Sequence, residues 1–189
     1  MENKVNKTKE EIRKETIWRL KDQAPALREE RSNIILEKLL SCDEYISAET
    51  VMTYVSMPEE VDTIRFIQMA LKQGKRITVP YIETGSKEII ASELTVIESL
   101  EKGPFGIYQP KVEHLKTISV KDVDLIIVPA IAYDENKMRL GRGGGYYDRF
   151  LSLAEQYKCK TIGIAFNFQI LNVVPTDSHD RSVNKIITD

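Results

Sequence analysis

The sequence predicts a three-layer α/β/α fold with a mostly parallel, Rossmann-like sheet. Strand-like and helix-like segments alternate along most of the chain, which favours parallel strands joined by helical crossovers. The segment Asp124–Val128 carries an unbroken Leu-Ile-Ile-Val run, which is typical of a strand that helices cover on both faces. Because such sheets bind ligands beyond the carboxyl ends of their strands, we expect the functional site at that edge.

Capping and breaking residues place four helices in the sequence. Thr8 can cap the first helix, and Glu11 three positions later completes a capping box. Pro25 marks a break or a new helical start, whereas Asp62 can cap a later helix that ends at Gly74. The predicted helices are Thr8 to about Asp22, Ala26–Leu40, Thr63–Lys72 and Tyr146–Tyr157. The apolar side expected for the second helix comprises Ile34, Ile35, Leu39 and Leu40.

Short apolar and β-branched runs predict the strands between these helices. We predict strands over Thr50–Val55, Arg76–Pro80, Glu88–Ala91, Asp124–Val128, Thr161–Ala165 and Lys185–Thr188. The sequence contains no internal repeat and no shift in composition that marks a boundary. We therefore expect a single domain over residues 1–189, which is long enough for a substantial core.

Composition and charge exclude several classes of function. A hydrophobic share of 42% and a charged share of 30% are ordinary for a soluble globular protein. A net charge of −2 offers no basic field for nucleic acid, and no apolar run approaches the roughly 20 residues that span a bilayer. The N-terminal segment lacks the apolar stretch of a secretory signal, and Cys42 lies far from Cys159. We expect a cytoplasmic monomer with reduced thiols that binds neither nucleic acid nor membrane.

The most informative segment is RLGRGGGYYDRF at residues 139–150. Four of the nine glycines lie in Gly141–Gly145, where the missing Cβ permits positive φ and lets a ligand contact bare backbone. Arg139, Arg142 and Arg149 surround these amides with positive charge, and a helix-compatible stretch begins directly after the glycines. Open amides, fixed cations and a helix N-terminus together favour a bound anion, most simply a phosphate.

A flexible surface turn is the simpler alternative for this glycine cluster. Aromatic and charged residues follow the cluster, rather than the Ser, Pro or Gly of a linker, and this argues against the alternative. Asp148 fits a phosphate site if a divalent cation bridges the two. Asp180, in the polar segment Thr176–Arg181, is a second oxygen donor of the same kind. We predict that Asp148 and Asp180 bind Mg²⁺, since two histidines cannot supply a multi-histidine zinc site.

The first predicted helix carries two cations on its inward stripe. At 100° per residue, Lys9 and Arg13 project near Ile12, Thr16 and Leu20. Unpaired buried charge is costly, so the two cations require an anionic partner, and nucleotide phosphates would serve. The alternative is a helix rim whose long side chains reach solvent.

Two loops could line a pocket. Glu59 and Glu60 follow the first predicted strand, and one of them could accept a hydrogen bond from a ligand amine or amide. The segment Gly103–Pro110 is a rigid, non-helical loop that could form a wall for a flat ring, although a simple connecting turn fits equally well.

Three familiar sites find no support in the sequence. The chain has no G-x-x-x-x-G-K-[ST] motif, which excludes a standard P-loop. Gly141 and Gly143 begin a G-x-G-x-x-G pattern, but Tyr146 occupies its last position, so a dinucleotide site is poorly supported. The order of residues alone indicates no Ser-His-Asp or Cys-His nucleophile.

Taken together, the motifs resemble those of the 5-formyltetrahydrofolate cyclo-ligase family. The run Arg139-Leu140-Gly141-Arg142-Gly143-Gly144-Gly145-Tyr146-Tyr147-Asp148-Arg149 is similar to the family's glycine-tyrosine signature. Weaker elements occur in the family's order along nearly the whole chain. They are Lys9-Glu10-Glu11-Ile12-Arg13, Glu60-Val61-Asp62-Thr63, Gly106-Ile107-Tyr108-Gln109-Pro110 and His179-Asp180.

The resemblance implies an ATP- and Mg²⁺-dependent reaction on a reduced folate. ATP phosphorylates the formyl oxygen of 5-formyltetrahydrofolate, and N10 then attacks the resulting iminophosphate. Loss of phosphate gives 5,10-methenyltetrahydrofolate, with ADP as the other product. Such phosphoryl transfer depends on positioning and charge neutralisation, and holding N10 near the formyl carbon adds a proximity effect.

The resemblance also implies a role for each site residue. Residues implied to bind ATP are Lys9, Arg13, Arg139, Gly141, Arg142, Gly143, Gly144, Gly145, Tyr146 and Tyr147. Residues implied to bind the folate are Val55, Glu60, Arg142, Gly143, Gly144, Gly145 and Tyr146. Tyr147 and Arg142 are implied to act on the reacting groups, and Asp148 and Asp180 to hold Mg²⁺.

Two other functions fit parts of the sequence. A kinase or sugar-phosphate enzyme could use the same α/β layout, because fold alone does not fix the reaction. A folate-binding or nucleotide-sensing module would bind 5-formyltetrahydrofolate without consuming ATP. The combination of Lys9, Arg13, Arg139, Asp148 and the glycines favours the enzyme.

Overall fold

The computed structural model describes residues 7–189 and contains five α-helices in that range. They are α1 (Lys9–Asp22), α2 (Pro25–Leu40), α3 (Asp43–Ser47), α4 (Thr63–Lys72) and α5 (Tyr146–Gln156). The Thr8 hydroxyl accepts a hydrogen bond from the Glu11 backbone N–H, and the Glu11 carboxylate accepts one from the Thr8 N–H. Asp62 caps α4 by accepting from the N–H groups of Ile64 and Arg65. The capping residues predicted from the sequence are therefore confirmed.

The described residues also form twelve strands in three sheets. The strands are β1 (Thr50–Met52), β2 (Arg76–Tyr81), β3 (Ile90–Leu94), β4 (Leu100–Lys102), β5 (Tyr108–Pro110), β6 (Thr117–Ile118), β7 (Leu125–Val128), β8 (Ala132–Asp134), β9 (Arg139–Leu140), β10 (Lys160–Ala165), β11 (Ile170–Leu171) and β12 (Lys185–Thr188). The main sheet has the order β12-β10-β7-β1-β2-β3-β6. Its first five strands are parallel, whereas β3 and β6 add an antiparallel edge.

Helices cover both faces of the main sheet, which makes the fold a three-layer α/β architecture. Alternate residues of β7 enter opposite cores: Leu125 and Ile127 face α2 and α4, whereas Ile126 and Val128 face α5. All four side chains are fully buried. Burial of each such side chain contributes about 1.5–3 kcal/mol, so an unbroken apolar strand is stable only between two helical layers.

A small sheet of the order β11-β8-β9 lies beside the main one and supports the segment that leads to α5. Helix α1 packs on β8, and Ile12 of α1 is buried with Ala132, Leu140 and Val174. This packing fixes the first turn of α1 next to β9. The cations at the start of α1 and the glycines after β9 are thereby brought together.

The predicted elements agree with the structure to within one residue at most ends, with three corrections. The strand predicted over Thr50–Val55 ends at Met52, because Met52 is the last residue that pairs with the neighbouring strands β2 and β7. The strand predicted over Glu88–Ala91 is displaced to Ile90–Leu94, because pairing with β2 sets its register. In α2, Ile34 is 36% exposed and Leu36 is buried in its place, because the buried stripe follows Ser32, Ile35, Leu36 and Leu39. Across residues 7–189, no helix combines the length and apolar character that crossing a membrane requires.

Replacing Gly163 by Ala should destabilise the fold by about 1–3 kcal/mol through overpacking. A Cβ at this position in β10 would lie 2.4 Å from the Tyr133 ring. The ring cannot retreat freely, because the Tyr133 hydroxyl donates a 2.7 Å hydrogen bond to the Val128 carbonyl. Chemical denaturation measures the change, and Lys160→Ala at an exposed position of the same strand is the control, with an expected change below about 0.5 kcal/mol. Equal stability of the two variants would contradict the packing argument.

Candidate functional site

A cavity of about 500 Å³ opens beyond the carboxyl ends of β1, β2 and β7. Residues that directly follow these strands line it, among them Tyr54 and Val55 after β1, Ile82 after β2, and 129–131 after β7. The neighbours β1 and β7 send their connections in opposite directions across the sheet. This is the topological switch point at which α/β folds bind ligands, so the edge predicted from the sequence carries the cavity.

The segment Gly141–Gly145, called here the glycine loop, joins β9 to α5 and forms one wall of the cavity. Gly143 has φ +100° and Gly145 has φ +66°, conformations that strain residues with a side chain. Gly145 is the N-cap of α5 and provides no side-chain cap. The first N–H groups of α5 are therefore available to an anion, and the helix dipole favours negative charge there.

Three arginines hold the glycine loop from different sides. Arg13 of α1 donates from Nε to the Gly141 carbonyl at 2.9 Å, and Arg149 of α5 donates to the Gly144 carbonyl at 3.1 Å. Arg142 within the loop donates to Glu60 at 2.7 Å. A flexible linker would lack these hydrogen bonds. The contacts therefore favour an ordered binding site over the flexible surface turn that the sequence left as the simpler alternative.

Lys9 lines the cavity and lies between two carboxylates. The Lys9 Nζ lies 2.6 Å from Asp177 Oδ2 and 2.6 Å from Asp180 Oδ2. Burial alone would lower the pKa of Lys9, but these hydrogen bonds outweigh burial and hold the pKa above its ordinary value. Burial likewise works to raise the pKa of Asp180, yet the hydrogen bond from Lys9 holds that pKa below its ordinary value. Lys9 and Asp180 are therefore both charged at neutral pH.

Arg139 and Asp148 form a second ion pair, which is largely buried. Arg139 Nη2 lies 2.5 Å from Asp148 Oδ1, and the two side chains are 3% and 16% exposed. The backbone N–H of Arg181 also points to this oxygen, at 3.4 Å. The Nε of Arg139 is buried without a hydrogen-bond partner among residues 7–189, and its residue lines the cavity. A buried donor without a partner is rare in folded proteins, so this Nε is a candidate to donate a hydrogen bond to a ligand.

Another part of the cavity wall, called here the apolar slot, is apolar. Phe105 and Tyr146 meet edge to face there, with ring centroids 5.8 Å apart. The Gln109 side chain accepts a hydrogen bond from the Ile82 N–H at 3.0 Å, which fixes the loop that the sequence suggested as a wall. The further lining residues of the apolar slot are Val55, Met57, Pro80, Ile89 and Ile107. An apolar slot of this kind suits a flat ring system.

Tyr147 also lines the cavity. Its hydroxyl oxygen is buried and has no hydrogen-bond partner within the described chain. Burial raises the pKa of Tyr147 well above its ordinary value; the Arg139 charge opposes this effect, and the Glu60 charge adds to it. The hydroxyl therefore stays protonated at neutral pH and is a hydrogen-bond donor for whatever enters the cavity.

A group of potential metal ligands lies beside Lys9. One ligand atom from each of Asp177, His179 and Asp180 falls within 4.8 Å of the others. Asp148 is not in this group, because its carboxylate is turned to Arg139. Both predicted metal ligands nevertheless line the same cavity, where carboxylate oxygens are the donors that suit Mg²⁺.

The structure brings every site residue predicted from the sequence to this one cavity. They are Lys9, Arg13, Val55, Glu60, Arg139, Gly141, Arg142, Gly143, Gly144, Gly145, Tyr146, Tyr147, Asp148 and Asp180. The sequence did not single out other lining residues, such as Tyr54, Met57, Pro80, Ile82, Ile89, Pro129, Ala130, Ile131 and Asp177. Pro129 directly follows the strand predicted over Asp124–Val128, and this position is the signal that would have found it. Tyr54 falls inside the strand predicted over Thr50–Val55, so its place in the cavity followed only from the end of β1 at Met52.

Comparison with known proteins agrees with this geometry. The chain matches the model of the 5-formyltetrahydrofolate cyclo-ligase family over residues 5–189. It is 31% identical to the 5-formyltetrahydrofolate cyclo-ligase of Mus musculus, over 97% of this chain and 94% of the mouse protein. The enzyme of the same name from Escherichia coli K12 is 26% identical over 87% of this chain and 91% of its own length.

Solved structures show the same relationship. The NMR structure of 5,10-methenyltetrahydrofolate synthetase from Aquifex aeolicus superposes with a TM-score of 0.82 at 31% identity, covering 95% of this chain and 88% of that one. A synthetase of the same name from Mycoplasma pneumoniae shares the fold, with a TM-score of 0.78 at 22% identity over 96% and 98% of the two chains. The chain therefore belongs to the 5-formyltetrahydrofolate cyclo-ligase family.

Proposed function

We propose that this chain converts 5-formyltetrahydrofolate to 5,10-methenyltetrahydrofolate at the expense of ATP, with release of ADP and phosphate. The observation that carries the proposal is a single cavity lined both by apolar and aromatic side chains and by a cationic glycine loop, in a chain of this family. A phosphoryl group must pass from nucleotide to folate, so both ligands must share one enclosure.

The glycine loop and its surrounding cations would bind the ATP phosphates. Open amides at the start of α5 suit phosphate oxygens, and Lys9, Arg13 and Arg139 add positive charge. In the structure these cations contact carboxylates or a loop carbonyl. Phosphate oxygens would take over those contacts, and the orphaned Nε of Arg139 would gain an acceptor.

The apolar slot would bind the folate. Val55 and Tyr146 would contact its ring system, while the Glu60 carboxylate would accept hydrogen bonds from ring N–H groups. This arrangement directs the formyl group toward the glycine loop. The formyl oxygen then attacks the terminal phosphorus, the bond from that phosphorus to ADP breaks, and N10 attacks the activated formyl carbon. As the ring closes, N10 gives up its proton to water, and phosphate leaves with the oxygen that belonged to the formyl group.

Arg142 and Tyr147 would act on the reacting groups. The Arg142 guanidinium can neutralise charge that develops on the transferred phosphoryl group. The protonated Tyr147 hydroxyl can donate a hydrogen bond to the formyl group and orient it, because no protein acceptor in the described chain engages it. Mg²⁺, held by Asp148 and Asp180 directly or through water, would neutralise charge on the ATP phosphates.

The same reasoning extends to the protein's setting. We infer one cyclo-ligase domain that works as a monomer in the cytoplasm. Cys42 and Cys159 are both free thiols, which suits a reducing compartment.

The direct test is the cyclisation assay. The purified chain with 5-formyltetrahydrofolate, ATP and Mg²⁺ should produce methenyl absorbance in the near ultraviolet and one ADP per turnover. Omission of either substrate should abolish both signals. A stable phosphorylated product would identify a kinase instead, and folate binding without ADP release would identify a binding module.

Tyr147→Phe should lower kcat by about 100-fold, the cost of removing one preorganised donor, without loss of stability. The variant removes a buried hydroxyl that has no protein partner, so folding gives up no hydrogen bond. Tyr133→Phe is the matched control: its hydroxyl is bonded to the Val128 carbonyl, so stability should fall by about 1 kcal/mol while kcat stays near wild type. Turnover assays and thermal melts measure both. A fully active Tyr147→Phe enzyme would remove Tyr147 from the mechanism.

Asp148→Asn and Asp180→Asn should each raise the Mg²⁺ concentration for half-maximal activity by about tenfold or more. Each loses a charged oxygen ligand, although the amide oxygen can still accept from the neighbouring cation. Titration of Mg²⁺ at fixed ATP measures the shift, and Asp177→Asn is the comparison. A large shift in Asp177→Asn with none in Asp148→Asn would place the ion in the group formed by Asp177, His179 and Asp180.

A further inference from the structure

One ion pair connects the glycine loop to the segment between β1 and α4. Arg142 Nη2 of the glycine loop lies 2.7 Å from Glu60 Oε1 and 3.8 Å from Glu59 Oε1. The other oxygen of Glu60 accepts a hydrogen bond from the Met57 N–H at 3.0 Å, which fixes the carboxylate on the segment between β1 and α4. Glu60 is 15% exposed in its side chain and Arg142 is 42% exposed. The guanidinium therefore reaches from the loop to a carboxylate that is itself held in place.

The other cations of the cavity are paired differently. Lys9 contacts Asp177 and Asp180, and Arg139 contacts Asp148, so neither cation is paired with a residue assigned to the folate. Arg142 is the one cation that we assign to both ligands, and its partner Glu60 is assigned to the folate. A folate whose ring N–H groups donate to Glu60 must compete with Arg142 for the same carboxylate oxygen.

We infer, on the basis of the function proposed above, that Glu60 is also a positioning residue, which keeps Arg142 away from the nucleotide until folate binds. When ring N–H groups of the folate occupy the Glu60 carboxylate, the guanidinium is released and turns to the phosphates. Each ligand then strengthens binding of the other by the same factor, because linkage between two sites is reciprocal. When ATP is bound without folate, its phosphates lack the charge of Arg142. The missing charge limits transfer of the terminal phosphate to water.

The decisive measurement is nucleotide affinity without folate. In Glu60→Gln, the single amide oxygen can still accept from the Met57 N–H, which turns the amide NH₂ toward Arg142. The guanidinium then keeps only the 3.8 Å contact to Glu59 and turns more readily to phosphate. Calorimetry with a non-hydrolysable ATP analogue and Mg²⁺ should show about threefold tighter binding than wild type, in line with a partly exposed ion pair. A residue that only bound folate would leave this affinity unchanged.

Glu59→Gln is the matched control. It removes the same charge one residue away, from a side chain equally exposed but 3.8 Å from Arg142, and Glu59 does not line the cavity. Its analogue affinity should stay within about 1.5-fold of wild type, since the pair is long and partly solvated. If both variants tighten binding equally, general charge removal is the cause and the coupling is disproved.

A second measurement needs no variant. In the wild-type enzyme, 5-formyltetrahydrofolate at saturation should tighten binding of the ATP analogue by about fivefold, at the lower end of typical couplings. Absence of this effect, or unchanged analogue affinity in a folded Glu60→Gln enzyme, would overturn the role of Glu60 while leaving the reaction intact. If the wild-type enzyme binds neither ligand, the proposed function itself fails.

Discussion

Compensation of charge inside one cavity is the constraint on which the site depends. Four cations and four carboxylates line the same cavity, so their formal charges cancel, and most of the cations contact a carboxylate directly. Several of these groups are largely withdrawn from water, and an unpaired charge would be costly at such a position. The pairs allow a site of this charge density to exist in the folded chain. A polyanion and a divalent cation that enter together can exchange partners with these pairs and leave no charge unpaired.

Cations and carboxylates from distant parts of the sequence meet because three structural features converge at the switch point of the sheet. The buried apolar stripe of α1 packs on the small sheet and brings the start of α1 to the glycine loop. The ends of β1 and β7 place the residues that follow them on the cavity floor. The loop around Asp180 returns from the end of the chain to Lys9, 171 positions earlier. Each contact depends on the packing of the main sheet.

Two of the four buried side-chain atoms without a hydrogen-bond partner in residues 7–189 belong to residues that line the cavity. The Tyr147 hydroxyl and the Arg139 Nε lack partners, although nearly all buried polar atoms in folded proteins have one. Both residues line the cavity, and neither position would need a polar atom for packing alone. Buried polar atoms that lack a partner are characteristic of functional sites.

For the part of the chain that the structure describes, the sequence by itself determined the fold class, four of the five helices, six of the twelve strands and half of the residues that line the cavity. Capping residues, apolar periodicity and the glycine-tyrosine run are local signals. They can be recognised without knowing which distant residues each segment contacts. The tertiary structure alone decided which groups pair. The sequence predicts Asp148 as a metal ligand, but in the structure its carboxylate pairs with Arg139. Glu60 forms an ion pair with Arg142. The Glu60–Arg142 pair spans 82 positions, so the packing of the sheet and helices brings it together rather than any spacing in the sequence. The Arg139–Asp148 pair spans only nine positions, yet it too depends on how β9 and α5 are placed.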